Sequence, residues 1–175
     1  MSSEKSEELE KEVFFEVAWD RRRGIFYTTR RRSIIMTTHT FSSIHRKVYE
    51  VGGRDALQVT LGDAGREAGE YIARHLTEFW GIREGALLSE YMKNLYGEIG
   101  WGLLLEFDID GGKVVLKNSF EAVGHERSIE PVCVFLERYF AGMFTFLRGK
   151  VCGCKEVKCI AKGDPYCEFK VEEVE

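Results

Sequence analysis

Five cysteines, all between positions 133 and 167, are the residues of this chain whose type and spacing point most directly to chemistry. They read Cys133, then Cys152-Gly-Cys154-Lys-Glu156-Val-Lys-Cys159, then Gly163-Asp164-Pro165-Tyr-Cys167. Thiols used only for packing would be scattered along the chain. Thiolates gathered near a carboxylate, with a tight turn between two of them, are the donors of a tetrahedral zinc ion. Spacing leaves two ligand sets open. One is Cys152, Cys154, Cys159 and Cys167; the other is Cys133, Glu156, Cys159 and Cys167. Residues three apart on a strand face opposite sides, so Glu156 and Cys159 can share a metal only across a bulge or curl.

Other chemistry is not visible. There is no Gly-x-Ser-x-Gly elbow, no phosphate-binding glycine loop and no dinucleotide fingerprint. Gly62-Asp-Ala-Gly65-Arg-Glu-Ala-Gly69 carries glycines, but within a helical pattern and at the wrong spacing. The net charge of −4 and pI of about 5.7 argue against a nucleic-acid binder. Arg21-Arg22-Arg23 and Arg30-Arg31-Arg32 read as solvated hairpin flanks. No segment reads as a signal peptide or a membrane span. A cytoplasmic chain with reduced, metal-binding cysteines is therefore expected.

Around these residues, 44% hydrophobic and 31% charged residues support one globular domain, expected over 13–175 after a flexible acidic lead-in over 1–12. Val13–Ala18, Gly24–Thr29 and Ser33–Thr38 read as strands. Thr40 or Ser42 caps a helix that Gly52-Gly53 stops. A second helix covers Asp55–Trp80. Gly62, Gly65 and Gly69 on it imply a close neighbour, either another helix or a second subunit. A third helix covers Gly85–Gly100, and strands at Leu103–Ile109 and Lys113–Asn118 flank Asp110-Gly-Gly. Pro131 reads as the first residue of a last helix ending at Gly149. Strands at Lys155–Ala161 and Tyr166–Val171 close the chain. The order predicts an α+β fold: an antiparallel sheet with helices packed on one face.

Glu156-x-x-Cys159-x-x-x-Gly163-x-x-x-Cys167-x-Phe169 resembles the C-terminal end of the 4-vinyl-reductase domain family. Glu130-Pro-Val-Cys133 resembles the start of that family's last helix, Asn118-Ser-Phe-Glu-Ala122 its central strand, and Gly65-x-x-x-Gly69 its glycine-bearing helix. The resemblance spans residues 33–172. It implies the ligand-binding fold shared by phenol-responsive sensor domains and vesicle-tethering (TRAPP) subunits, and a zinc ion held by Cys133, Glu156, Cys159 and Cys167. Cys152 and Cys154 are then extras without a role. With four protein ligands such a site is closed and structural.

The resemblance also implies a small hydrophobic or aromatic ligand between helices and sheet. Phe120, Trp101, Phe107, Tyr139 and Phe140 are the aromatic candidates for its pocket, and His125 the candidate for a hydroxyl or carbonyl. Phenol sensors use a His–Trp pair for the hydroxyl, which the sequence does not locate here. The expected function is a zinc-containing sensor or carrier domain, homodimeric and acting through an unknown protein effector. An enzyme or accessory of vinyl or tetrapyrrole reduction and a structural adaptor are the rival expectations.

Overall fold

The computed structural model describes residues 17–28, 31–82 and 85–174. The acidic lead-in over 1–12 and the first residues of the strand expected from Val13 lie outside them. The chain divides into two compact units, Met1–Met36 and Thr37–Glu175. In the first, β1 (Val17–Asp20), β2 (Ile25–Thr28) and β3 (Arg31–Ser33) form an antiparallel meander in that order. Asp20 turns the first hairpin by accepting from both the backbone N–H and the side chain of Arg23. β3 ends at Ser33, short of the expected strand to Thr38, and Ile34 and Ile35 are exposed.

The second unit opens with α1 (Thr38–Leu57), capped by Thr37 rather than by Thr40 or Ser42. Thr37 Oγ1 accepts from the Thr40 N–H at 3.2 Å. The helix breaks at Gly52-Gly53, where Gly53 has φ +63°, a conformation that favours glycine. A π-turn (Gln58–Gly62) leads into α2 (Asp63–Arg74), and a second π-turn (His75–Phe79) ends the run. In each a threonine hydroxyl, Thr60 or Thr77, donates to the carbonyl four residues back, a local bond that accompanies the distortion.

α3 (Gly85–Glu98) precedes β4 (Leu103–Asp108) and β5 (Lys113–Lys117); α4 (Val134–Arg148) precedes β6 (Cys152–Lys158) and β7 (Cys167–Glu173). The four strands form an antiparallel sheet in the order β4-β5-β7-β6. α4 packs on β6 and β7, α3 packs on β4, and α2 lies along α4. The mixed α+β architecture is the one expected. The core sits between α4 and the sheet, with Phe140, Phe144, Phe169 and Leu116 fully buried.

α2 and α4 approach to backbone contact. A Cβ on Gly65 would fall on the carbonyl oxygen of Phe135, one on Gly69 on that of Tyr139, and one on Gly142 on that of Arg66. The close neighbour implied by the glycines is thus a helix of the same chain. Their packing supplies no argument for a second subunit.

Candidate metal centre and its surroundings

α4 does not begin at Pro131. Its first helical residue is Val134, with Cys133 as the flanking residue at φ −80°, ψ 59°. Residues 131–133 stay outside the helix, and Glu121 takes over the exposed end. Its Oε1 accepts from the Phe135 N–H at 2.8 Å and its Oε2 from the Leu136 N–H at 3.0 Å. These are two of the four N–H groups that every helix start leaves unpaired. Glu121 is completely buried, and burial pushes its carboxyl up while both N–H bonds pull it down. Replacing Glu121 by alanine would leave both donors buried and unpaired. The expected loss is about 3 kcal/mol in a urea titration.

Cys133, Glu156, Cys159 and Cys167 are all buried, and each offers a ligand atom within 4.8 Å of the others. Each is placed by a specific local device. Cys133 donates its N–H to Glu156 Oε2 at 2.9 Å. Glu156 pairs with Phe169 and Lys158 with Glu168, so Val157 is an extra residue in β6. This bulge supplies the offset that strand parity demands, and Glu156 and Cys159 come to one site. After Cys159 the chain turns through Ile160–Lys162 and Gly163, at φ +98°. The turn is tied by Asp164 Oδ2 accepting from the Cys159 N–H, and the Ile160 N–H points at Cys167 Sγ at 3.5 Å.

The donor set fits zinc. A tetrahedron with zinc–sulfur bonds of about 2.3 Å has edges of about 3.8 Å. The Cys133 and Cys167 sulfurs are 3.8 Å apart. Glu156 Oε1 is buried without a hydrogen-bond partner inside this group. Burial, together with the charge of Cys159, pushes the Glu156 carboxyl up to about 8, and burial raises the Cys133 thiol well above its usual range. Hydrogen bonds from Cys133 and Cys167 pull Cys159 down. Four acids at this spacing cannot all ionise alone, whereas a dication stabilises all four anions together.

A polar network surrounds the group. Glu137 Oε2 accepts from the Glu156 N–H at 3.1 Å and from Arg54 at 3.3 Å, and Gln58 reaches the other oxygen. Arg54 also donates to the Pro131 carbonyl at 2.7 Å. Ser119 Oγ lies 3.5 Å from Cys133 Sγ. The pattern of the sequence gives no sign of Glu121, Glu137, Arg54 or His45, because each acts on residues distant along the chain. Cys152 and Cys154 stand outside the group. Cys152 is buried and its sulfur faces the Lys150 carbonyl; burial raises the Cys154 thiol well above its usual range.

The six candidate pocket residues do not converge. Trp101, Phe120 and Tyr139 form one aromatic cluster with Phe41 and Phe135, at centroid distances of 5.1 Å for Trp101–Phe120 and 5.3 Å for Trp101–Tyr139. Phe107 and Phe140 belong to the core, packed on Phe144 and Phe169 respectively. His125 lies apart, its ring centroid 4.4 Å from that of His45. A His–Trp hydrogen bond joins Trp80 Nε1 to His75 Nε2 at 2.9 Å.

His45 is 3% exposed, and burial, with His125 beside it, lowers it to about 4. The unfolded chain takes up this proton near pH 6.5, whereas the native state resists until about pH 4. Stability from this residue is therefore full above pH 6.5 and is lost as pH falls through that window. Between pH 7.5 and 5 the expected loss is about 2 kcal/mol. Urea titrations of His45→Gln, which keeps a donor but does not titrate, should show a correspondingly shallower dependence.

In the described residues no helix is long and apolar enough to cross a membrane. No curated protein matches the sequence. The fold has solved relatives. The phenol-responsive sensory domain of the transcription activator PoxR, crystallised with phenol, superposes with a TM-score of 0.74 at 19% identity, covering 90% of this chain and 84% of that one. A vinyl-4-reductase family protein from Methanocaldococcus jannaschii gives 0.57 at 19% identity, covering 82% and 85%. Subunit 3 of a trafficking protein particle complex from Naegleria fowleri, covalently bound to palmitic acid, gives 0.54 at 13% identity, covering 79% and 95%. Residues 11–109, including Gly65 and Gly69, match a domain of unknown function, DUF5943, and residues 113–173, with all four clustered side chains, match the 4-vinyl-reductase (4VR) domain. The chain belongs to the DUF5943 family over its larger part and carries a 4-vinyl-reductase domain after it.

Proposed function

We propose that this protein is a zinc-stabilised domain that binds a small hydrophobic or aromatic molecule and acts through a partner protein. The observation that carries the reading is the 4-vinyl-reductase stretch itself. It contains every residue of the buried Cys3Glu group, on a fold whose relative binds phenol. Cys133, Glu156, Cys159 and Cys167 would hold the ion, which supplies structural cross-linking between the start of α4 and the β6–β7 hairpin. A homodimer remains part of the proposal, supported by the family resemblance alone.

A thermal-shift screen of the metal-loaded chain against apolar and aromatic compounds tests the reading. Stabilisation by several degrees with a subset of compounds is expected, since a ligand that binds only the native state raises its stability. A flat response across the whole set would sink it. Sedimentation at micromolar concentration tests the dimer separately.

A further inference from the structure

A cavity of about 430 Å³ lies between α1 and the loop that leads into α4. Leu57, Ile129, Pro131, Val132 and Val134 line it, together with the rings of His45 and His125. The tautomer of His45 follows from its partner. Its Nε2 lies 3.0 Å from the Val132 carbonyl oxygen, which can only accept, so Nε2 carries the hydrogen. Nδ1 of this neutral ring is then a bare lone pair. It is buried and has no hydrogen-bond partner, and Nε2 of His125 is in the same condition. Two unpaired ring nitrogens on adjacent buried rings are costly unless something joins them.

We propose that this cavity binds an uncharged molecule with a hydroxyl on an apolar body, the hydroxyl donating to His45 Nδ1 and accepting from His125 Nε2. The inference rests on the small-molecule reading above and names a site and a ligand class for it. A hydroxyl is the smallest group that both donates and accepts. A carboxylate or phosphate has no proton for Nδ1. An ammonium group could donate, but Arg46, Arg54 and Arg127 all line the same space. Among the described residues the two histidines belong to no group of three or more metal-binding side chains, which disfavours a second cation. A single water would satisfy both rings but takes only about 30 Å³, leaving most of an apolar cavity empty. The volume falls within the range of pockets for one- or two-ring organic ligands.

The test uses 4-phenylphenol and its methyl ether, 4-methoxybiphenyl, titrated calorimetrically into the full metal-loaded chain. The ether keeps the body and loses the proton. At least tenfold tighter binding of the alcohol is expected. His45→Phe and His125→Phe should each remove most of that preference while moving the ether less than twofold. If His45→Phe fails to fold, His125→Phe carries the test, because that ring is only half-buried. Nitrogen-15 spectra of the histidine rings give a second readout, with the alcohol alone shifting His45 Nδ1. Equal affinity for the two compounds, unchanged affinity in the variants, or a crystal soaked with the alcohol that shows only a bridging water would overturn the site. If the broader screen still finds ligands, the small-molecule reading survives that result. If both compounds and the screen are blank, both fall together.

Discussion

Cys159→Ser is expected to lose the metal and to melt at least 10 °C lower than the parent chain. The sulfur of Cys159 is one corner of a buried group whose other members are acids. Without the ion, Glu156 is driven toward its protonated form and the thiols compete for a single negative charge. The bound ion is folding free energy, since the unfolded chain holds no preformed site. The rest of the domain has its own core, so the loss is put at about 4–6 kcal/mol rather than complete unfolding. For a chain of this size each kcal/mol shifts the midpoint by about 2–4 °C. Elemental analysis and thermal melts read the two effects. Cys133→Ser and Cys167→Ser should behave alike, whereas Cys152→Ser and Cys154→Ser should keep one ion per chain. The reverse pattern would select the other thiol set and refute the assignment of ligands.

Gly69→Ala is the second large effect, and its sign is opposite to the usual one. Within a helix, alanine normally exceeds glycine by about 1 kcal/mol. At position 69, however, the new methyl would meet the Tyr139 carbonyl group and, at 3.1 Å, the backbone nitrogen of Met143. Main chain cannot turn aside as a side chain does, so α2 and α4 must separate. Overpacking costs about 1–3 kcal/mol where side chains can shift, and backbone against backbone should reach the upper end or beyond. A destabilisation of about 3–4 kcal/mol in urea is expected. Gly97→Ala, also helical but with nothing within 4 Å of its added methyl, is the internal control. It should stabilise the chain by up to about 1 kcal/mol. Equal effects at the two positions would mean that the helix contact is not the reason for Gly69.

Much of this was legible in the sequence, for identifiable reasons. Helices and hairpins announced themselves by periodicity and by their glycine turns. The α+β order followed. Strand parity required an irregularity between Glu156 and Cys159, and the bulge at Val157 provides it. The choice between the two thiol sets was not legible from spacing, because only the fold decides which sulfurs face inward. Pro131 resembled a helix start because its own chemistry fits one. The start lies three residues later because Glu121, from a distant loop, caps the N–H groups of Phe135 and Leu136. The glycines correctly signalled a close approach but could not say by what. Trp101 and Phe120 do meet, while His125 finds His45 instead. A contact such as His45 with Val132, 87 positions apart, leaves no trace in local pattern.

The clustered side chains are also neighbours along the chain. Cys133 and Glu156 are 23 positions apart, and Cys133 and Cys167 only 34. Closing loops of that length costs little entropy, and doubling one adds only about 0.6 kcal/mol. An unfolded chain can therefore gather these donors around an ion before α1 and α2 have docked. Metal captured so early would act on the speed of refolding as well as on its endpoint, seeding the terminal ribbon against which the remaining helices condense.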